Sequence, residues 1–226
     1  MARKSFSWSY TKIKNSEACG FRHEQIDLLR NFKEAEDPYG PLAWGNKVHE
    51  EMAGSIKSGQ PMEGETAEYN EWIDRVREGP GELFIEQKYA ITKDFSPTAW
   101  ASPHAWYRGI GDVVRVNDDV ALGLDWKTGA VKEDSVQLAL LAQCLFSHFP
   151  DVKVVRTEFI WLAHDINTTE IFRREKMGDF WAEFMPRVDK YQKMVETNDF
   201  KPTPNGLCKR YCVVTSCPFH GKDFRG

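Results

Sequence analysis

Two carboxylates and a lysine near the middle of the chain have types and spacing suited to phosphodiester chemistry. Asp125 and Lys127 flank Trp126 at the end of a segment rich in β-formers, and Asp112 lies in the preceding segment. Because side chains alternate faces along a strand, Asp125 and Lys127 should point the same way and Trp126 the opposite way. The turn residues at 117–119 predict a hairpin that brings Asp112 beside Asp125.

This set of groups suits metal-assisted hydrolysis. Paired carboxylates bind Mg²⁺ or Mn²⁺, which lowers the pKa of bound water and neutralises phosphate oxygens. A nearby ammonium orients the water and offsets developing negative charge. In this interpretation Asp112 and Asp125 are ligands, helped by the backbone carbonyl of Trp126, and Lys127 is the catalytic cation. The alternative is a buried Asp–Lys pair that only joins two strands.

The same acid-x-Lys spacing recurs three times elsewhere, at Glu86/Lys88, Asp151/Lys153 and Asp199/Lys201. The last two pairs fall at a helix–strand junction and in a loop, and neither has a second acid on a neighbouring strand. Glu86 falls on a predicted strand. It is either a further metal ligand or half of a surface pair with Lys88.

The elements that position these residues follow from hydrophobic periodicity and turn signals. Helices are predicted within 9–33 and over 41–58, 66–78, 134–149 and 178–196. Strands are predicted over 82–92, 106–116, 120–127, 152–162 and 168–173. This order predicts an α/β fold of restriction-endonuclease-like type, with a mixed central sheet flanked by helices. Residues after Phe200 are expected to be irregular.

The 226 residues suit one domain over 1–226, with a helical part at 1–80, a core at about 82–175, and a helix and cysteine-containing tail at 176–226. No apolar run approaches the roughly 20 residues of a membrane span, and the first residues lack a signal-peptide core, so we expect a cytoplasmic protein and no membrane partner. Net charge is −4, but residues 1–33 and 201–226 are basic. Cations bound centrally and phosphates near the ends would explain this distribution, as would ordinary surface variation.

A series of short motifs occurs in a fixed order along residues 5–217. They are Ser7-Trp8-Ser9-Tyr10-Thr11-Lys12-Ile13 with Glu17-Ala18-Cys19, Gly45-Asn46-Lys47-Val48-His49-Glu50, Glu86, Gly109-x-x-Asp112, Leu124-Asp125-Trp126-Lys127-Thr128-Gly129, and Gln137. The ordered set resembles the RecB-like branch of the PD-(D/E)XK nucleases, which includes CRISPR-associated and phage recombination exonucleases.

The resemblance implies roles for two helical residues. His49 would be a metal ligand, whereas a lone helical histidine is otherwise structural or exposed. Gln137 would contact a phosphate or fix Lys127, and its alternative is a solvated helix position. Two features depart from the family pattern: Leu141 replaces the tyrosine of the glutamine motif, and no proline precedes Asp112.

Five cysteines are present in a chain expected to keep its thiols reduced. Cys208, Cys212 and Cys217 lie close together in a polar tail that cannot bury all three in a core. Several RecB-like nucleases bind a [4Fe–4S] cluster through one N-terminal and three C-terminal cysteines, and Cys19 matches the first. The spacing within the tail differs from the usual one. Zinc held by the three with Cys19 or His220, or no metal at all, are the alternatives.

The resemblance implies a Mg²⁺- or Mn²⁺-dependent deoxyribonuclease. An exonuclease in DNA recombination, repair or phage DNA processing is expected, in the host cytoplasm if the gene is phage-borne. Its partner would be DNA, with a single-strand annealing or recombination protein as a further candidate. The alternatives are an endonuclease within an assembly and a catalytically silent module that binds DNA ends.

Overall fold

A computed structural model describes residues 6–132 and 134–224. The helices are α1 (Tyr10–Ala18), α2 (Gly20–His23), α3 (Pro41–Ser58), α4 (Asn70–Arg77), α5 (Ser135–His148) and α6 (Met177–Thr197). The strands are β1 (Glu82–Ile91), β2 (Pro97–Thr98), β3 (Tyr107–Asn117), β4 (Val120–Lys127), β5 (Val154–Trp161) and β6 (Ile166–Arg173). The chain divides into two compact units, one of residues 6–7 and 37–180 and one of residues 8–36 and 181–224.

The first unit contains a six-stranded mixed sheet in the order β2-β1-β3-β4-β5-β6. Strands β1, β3 and β4 are antiparallel neighbours, and β4 and β5 are parallel. A parallel pair needs a long crossover, which α5 supplies between β4 and β5. The predicted mixed α/β fold is confirmed. The two-residue strand β2 was not predicted from sequence.

Helices cover both faces of this sheet. Val48 and Met52 of α3 join a buried cluster with Leu124 of β4. The neighbouring residue Gly123 faces Leu141 of α5, because a Cβ at Gly123 would lie 2.8 Å from the Leu141 side chain. Since adjacent strand residues point to opposite faces, α3 and α5 lie on opposite sides of the sheet.

Helix α3 has the boundaries expected from its sequence. Pro41 occupies the first turn, where its missing N–H costs no helical hydrogen bond. Gly59 follows the last turn with φ of +79°, a left-handed conformation that glycine adopts without steric cost. The predicted helix over 66–78 is instead a 3₁₀ segment, Gly64–Tyr69, followed by α4.

The second unit is built from α1, α2, a π-helical turn at Glu24–Leu28, most of α6 and the irregular tail. The rings of Trp8, Trp181 and Phe184 pack together, with centroids 5.8 to 6.4 Å apart. None of the helices within the described residues is long and apolar enough to span a bilayer.

Candidate metal and active site

Three carboxylates occupy one row across the central strands. The β1–β3 register, with Ile85 opposite Val113, places Glu86 opposite Asp112. Extending the β3–β4 register one residue past its last pair, Val113 and Leu124, places Asp112 opposite Asp125. Glu86, Asp112 and Asp125 therefore stand side by side on three adjacent strands.

The backbone departs from regular pairing at this row. Glu86 has φ of +54°, a left-handed conformation that is uncommon for a residue with a side chain and interrupts the β1–β3 ladder. On the other side, the ladder between β3 and β4 ends at Val113, and Oδ2 of Asp112 accepts a hydrogen bond of 2.9 Å from the Trp126 N–H. Such irregularities cluster at functional sites, where they redirect side chains.

His49 brings an imidazole from α3 to the same place. One ligand atom each from His49, Glu86 and Asp112 lie within 4.8 Å of one another. His49 Nδ1 is 3.3 Å from Asp112 Oδ2, and Nε2 is 3.0 Å from the carbonyl oxygen of Trp126. Both ring nitrogens thus face acceptors, so the ring donates to both only when it is doubly protonated.

Gly45 permits this approach of α3 to the sheet. It lies one helical turn before His49, and a Cβ added there would be 3.2 Å from Thr128 Oγ1, just after β4. A larger side chain would press on Thr128. The small residue therefore lets the helix bring His49 close to the end of β4.

Asp125 and Lys127 form a second group with Gln137 of α5. Gln137 Nε2 donates to Asp125 Oδ1 at 2.6 Å, and Lys127 Nζ donates to Gln137 Oε1 at 3.4 Å. Lys127 also pairs with Asp125 Oδ2, and its ammonium lies 4.8 Å from the centre of the Phe159 ring. The Gln137 amide thus bridges the carboxylate and the ammonium, while Asp125 lies outside the trio of close ligand atoms.

The electrostatics of the site favour a bound cation. Burial and the nearby Asp112 charge raise the pKa of Asp125 to about 6, against the opposing effect of Lys127. Burial and Asp112 also raise the pKa of Glu86. Burial lowers the pKa of His49, but Asp112, Asp125 and Glu86 together raise it further than burial lowers it. Crowded carboxylates are therefore costly to ionise here, and a divalent cation would relieve that cost.

The donor set fits a hard divalent ion. Carboxylate and carbonyl oxygens with one imidazole are ligands that Mg²⁺ and Mn²⁺ accept, and the set contains no thiolate. The trio of His49, Glu86 and Asp112 therefore fits such an ion.

Leu141 belongs to the core and not to a substrate surface. It is 8% exposed, and its side chain lies against Gly111 and Gly123. A Cβ at either glycine would approach Leu141 to 3.2 Å or less. The absence of a tyrosine at this position is thus explained by close packing of α5 on the sheet.

Three polar residues of α3 to which the sequence assigned no role border the site. Asn46, Glu50 and Lys57 line a groove of about 580 Å³ together with His49 and Glu86. Their spacing from His49, at −3, +1 and +8, was the available signal. This spacing assigns the three residues to the site only when the structure shows that His49 faces the carboxylates.

The cysteines named by the sequence come together in the second unit. Cys19, Cys208, Cys212 and Cys217 line one small cavity with His220. Backbone N–H groups point at two of the sulfurs, from Thr203 to Cys19 at 3.4 Å and from Asn205 to Cys208 at 3.5 Å. Within the described part of the chain, no three of these sulfurs lie within 4.8 Å of one another. Cys144 is buried in α5, as predicted.

Comparison with known proteins gives a fold but no family. No family model and no curated protein matches the sequence. A solved structure of a "Putative exonuclease" from Eubacterium rectale matches with a TM-score of 0.56 and 12% identity, over 93% of this chain and 88% of that one. A second solved structure matches over 96% and 88% at 12% identity, with a TM-score of 0.46. At such identity the first likeness shows a shared fold.

Proposed function

We propose that this protein is a metal-dependent deoxyribonuclease that hydrolyses DNA phosphodiester bonds and acts from DNA ends. The observation that carries the proposal is the trio of His49, Glu86 and Asp112 in the same row as Asp125, which pairs with Lys127. The motif order that resembles RecB-like PD-(D/E)XK nucleases supports it. So does the shared fold with a protein whose name includes the word exonuclease.

The residues of the site would have two roles, metal binding and stabilisation of charge on the phosphate. Glu86, Asp112, His49 and the Trp126 carbonyl would hold Mg²⁺ or Mn²⁺, which supplies an activated water and neutralises phosphate charge when bound. Asp125, opposite Asp112 on the neighbouring strand, would be a further ligand, as the resemblance implies. Lys127 places its ammonium where negative charge develops on the phosphate.

Gln137 is a positioning residue in this scheme. Its amide bonds to both Asp125 and Lys127, so it limits where each can point. Without that bridge Lys127 would be held by Asp125 alone and could turn into solvent, so the ammonium would spend less time at the phosphate.

The decisive experiment compares linear and covalently closed circular DNA. The purified protein should degrade linear single- or double-stranded DNA when Mg²⁺ or Mn²⁺ is added, and should leave a closed circle intact. EDTA should abolish the activity. Cutting of the closed circle would establish the endonuclease alternative. Binding to DNA ends with no cleavage under any metal would establish the silent module.

We also propose that the cysteine-lined cavity binds an iron–sulfur cluster. Tetrahedral zinc with Zn–S bonds of about 2.3 Å would hold its sulfurs about 3.8 Å apart. A cluster attaches each cysteine to a different iron and so keeps the sulfurs farther apart, and among the described residues no three of these sulfurs lie within 4.8 Å of one another. Backbone N–H groups aimed at Cys19 and Cys208 are the kind of hydrogen bond that stabilises cluster thiolates.

Anaerobic purification tests the cysteine proposal. Iron near four atoms per chain, with visible absorbance that disappears on Cys212→Ser, is expected. If the purified protein contains one zinc atom per chain and no iron, the cavity is a zinc site and the cluster proposal is wrong. If the protein is colourless, metal-free, fully stable and fully active, the cysteines bind no metal and their reduced thiols only pack the tail.

A further inference from the structure

The groove beside the metal trio runs along one side of α3. Asn46, Glu50, Gly54 and Lys57 recur at helical spacing with His49, so they lie on the same side of the helix. Glu86 of β1 forms part of the opposite border. Two of the three residues that would hold the cation, His49 and Glu86, therefore line this groove of about 580 Å³.

The floor of the groove is free of bulky side chains. Gly54 is exposed in the C-terminal half of α3, and a Cβ placed there would meet no atom within 4 Å. Glycine inside a helix costs roughly 1 kcal/mol relative to alanine, and no packing contact at Gly54 offsets that cost. A requirement for open space on this face of α3 would account for the residue.

Lys57 places a positive charge at the far end. It lies eight residues beyond His49, which along a helix is a rise of about 12 Å. That is several times the ~3.4 Å advance between successive phosphates on a duplex strand. The Lys57 charge also lowers the pKa of Glu86 on the other border of the groove, against the larger effects of burial and Asp112. An anionic strand that starts at the cation site would pass Gly54 and reach Lys57.

We propose that this groove receives the DNA strand on one side of the scissile phosphate, with Lys57 binding a backbone phosphate. The proposal rests on the nuclease function above and adds the direction in which the strand leaves the site. Glu50, an exposed acid on the same border, faces the same strand and opposes its binding. The two charges therefore predict mutational effects of opposite sign.

The test measures binding of a fluorescent single-stranded oligonucleotide in a Lys127→Ala background, which prevents cleavage. Lys57→Gln should weaken binding about three- to tenfold at low salt and reduce the slope of log K against log[salt] by about 0.7, the value for one phosphate of a single strand. Glu50→Gln should tighten binding. Lys47→Gln is the matched control, because Lys47 lies on α3 but pairs with Glu65 at 3.1 Å and is not part of the groove.

A second variant tests the space itself. Gly54→Leu should keep the fold, since leucine favours helix and meets open space, but should obstruct the strand. In the Lys127-containing protein it should raise KM for DNA at least fivefold and lower kcat less than it raises KM, because the added side chain obstructs binding of the strand and removes no ligand or catalytic group.

The outcomes separate the two proposals. Equal DNA affinity and equal salt slope for Lys57→Gln and Lys47→Gln would overturn the groove, even in an active nuclease. DNA binding that responds to Lys57 in a protein that never cleaves would overturn the nuclease function and leave the groove standing.

Discussion

Oδ2 of Asp112 accepts a hydrogen bond from the main-chain N–H of Trp126 at the point where strands β3 and β4 stop pairing. The side chain thus replaces a ladder bond and fixes the distance between the two strands. The same carboxylate oxygen lies 3.3 Å from His49 Nδ1. One oxygen therefore links β3, β4 and α3, so the backbone around the site is set by one of its candidate ligands.

Lys127 should be needed for the chemical step and not for folding. Lys127→Ala should lower kcat at least 100-fold, because an ammonium near developing charge is lost, while DNA affinity and thermal midpoint change little. Lys153→Ala is the control: Lys153 has the same acid-x-Lys spacing but is exposed and pairs with Asp119. Full activity of Lys127→Ala with Mg²⁺ would remove Lys127 from the mechanism.

Glu86 should contribute to metal affinity as strongly as His49. Glu86→Gln and His49→Ala should each raise the Mn²⁺ concentration for half-maximal activity tenfold or more, because both remove a donor from the trio. Gln87→Ala, one residue away and exposed, should leave the titration unchanged. Titration curves that coincide for Glu86→Gln and wild type would make Glu86 a structural residue.

Leu141 should contribute to stability and not to catalysis. Leu141→Ala should lower the free energy of unfolding by about 2–4 kcal/mol, since a buried leucine leaves a cavity against Gly111 and Gly123. Leu141→Tyr should also destabilise, because the same close contacts leave no room for a ring. Denaturant unfolding measures both. A tyrosine variant with unchanged midpoint would contradict the packing described for α5.

His23 should make the second unit sensitive to acid. It is fully buried, with Nδ1 2.6 Å from Asp27 Oδ2 and Nε2 3.0 Å from the Tyr191 hydroxyl. Burial lowers its pKa; Asp27 opposes this, and Lys12 and Arg22 add to it. The folded state therefore binds a proton less readily than the unfolded state, whose histidine titrates near pH ~6.5.

Stability from this residue is present above that pH and is lost as pH falls toward the lowered folded pKa. Urea midpoints from pH 8 to pH 5 should fall more steeply for wild type than for His23→Gln. His164→Gln, at an exposed position, serves as the control and should keep the wild-type slope. Parallel slopes for wild type and His23→Gln would remove His23 as the cause.

The amino-acid sequence was sufficient for the α/β fold and for the central acid-x-Lys motif. Periodicity and turn residues are local, so helices such as α3 and the hairpin of β3 and β4 could be predicted within a few residues. The hairpin alone brings Asp112 near Asp125, because its register is short-range.

Beyond that hairpin, contacts between segments that are distant in the sequence determine which groups meet. Glu86 joins the site through a left-handed backbone conformation that residue type does not reveal, since a glutamate rarely adopts it. Leu141 proved to be core because two glycines, on different strands, admit it. The groove ending at Lys57 exists because α3 packs with His49 toward the carboxylates. Each of these depends on contacts between distant segments, which are fixed by packing and not by local pattern.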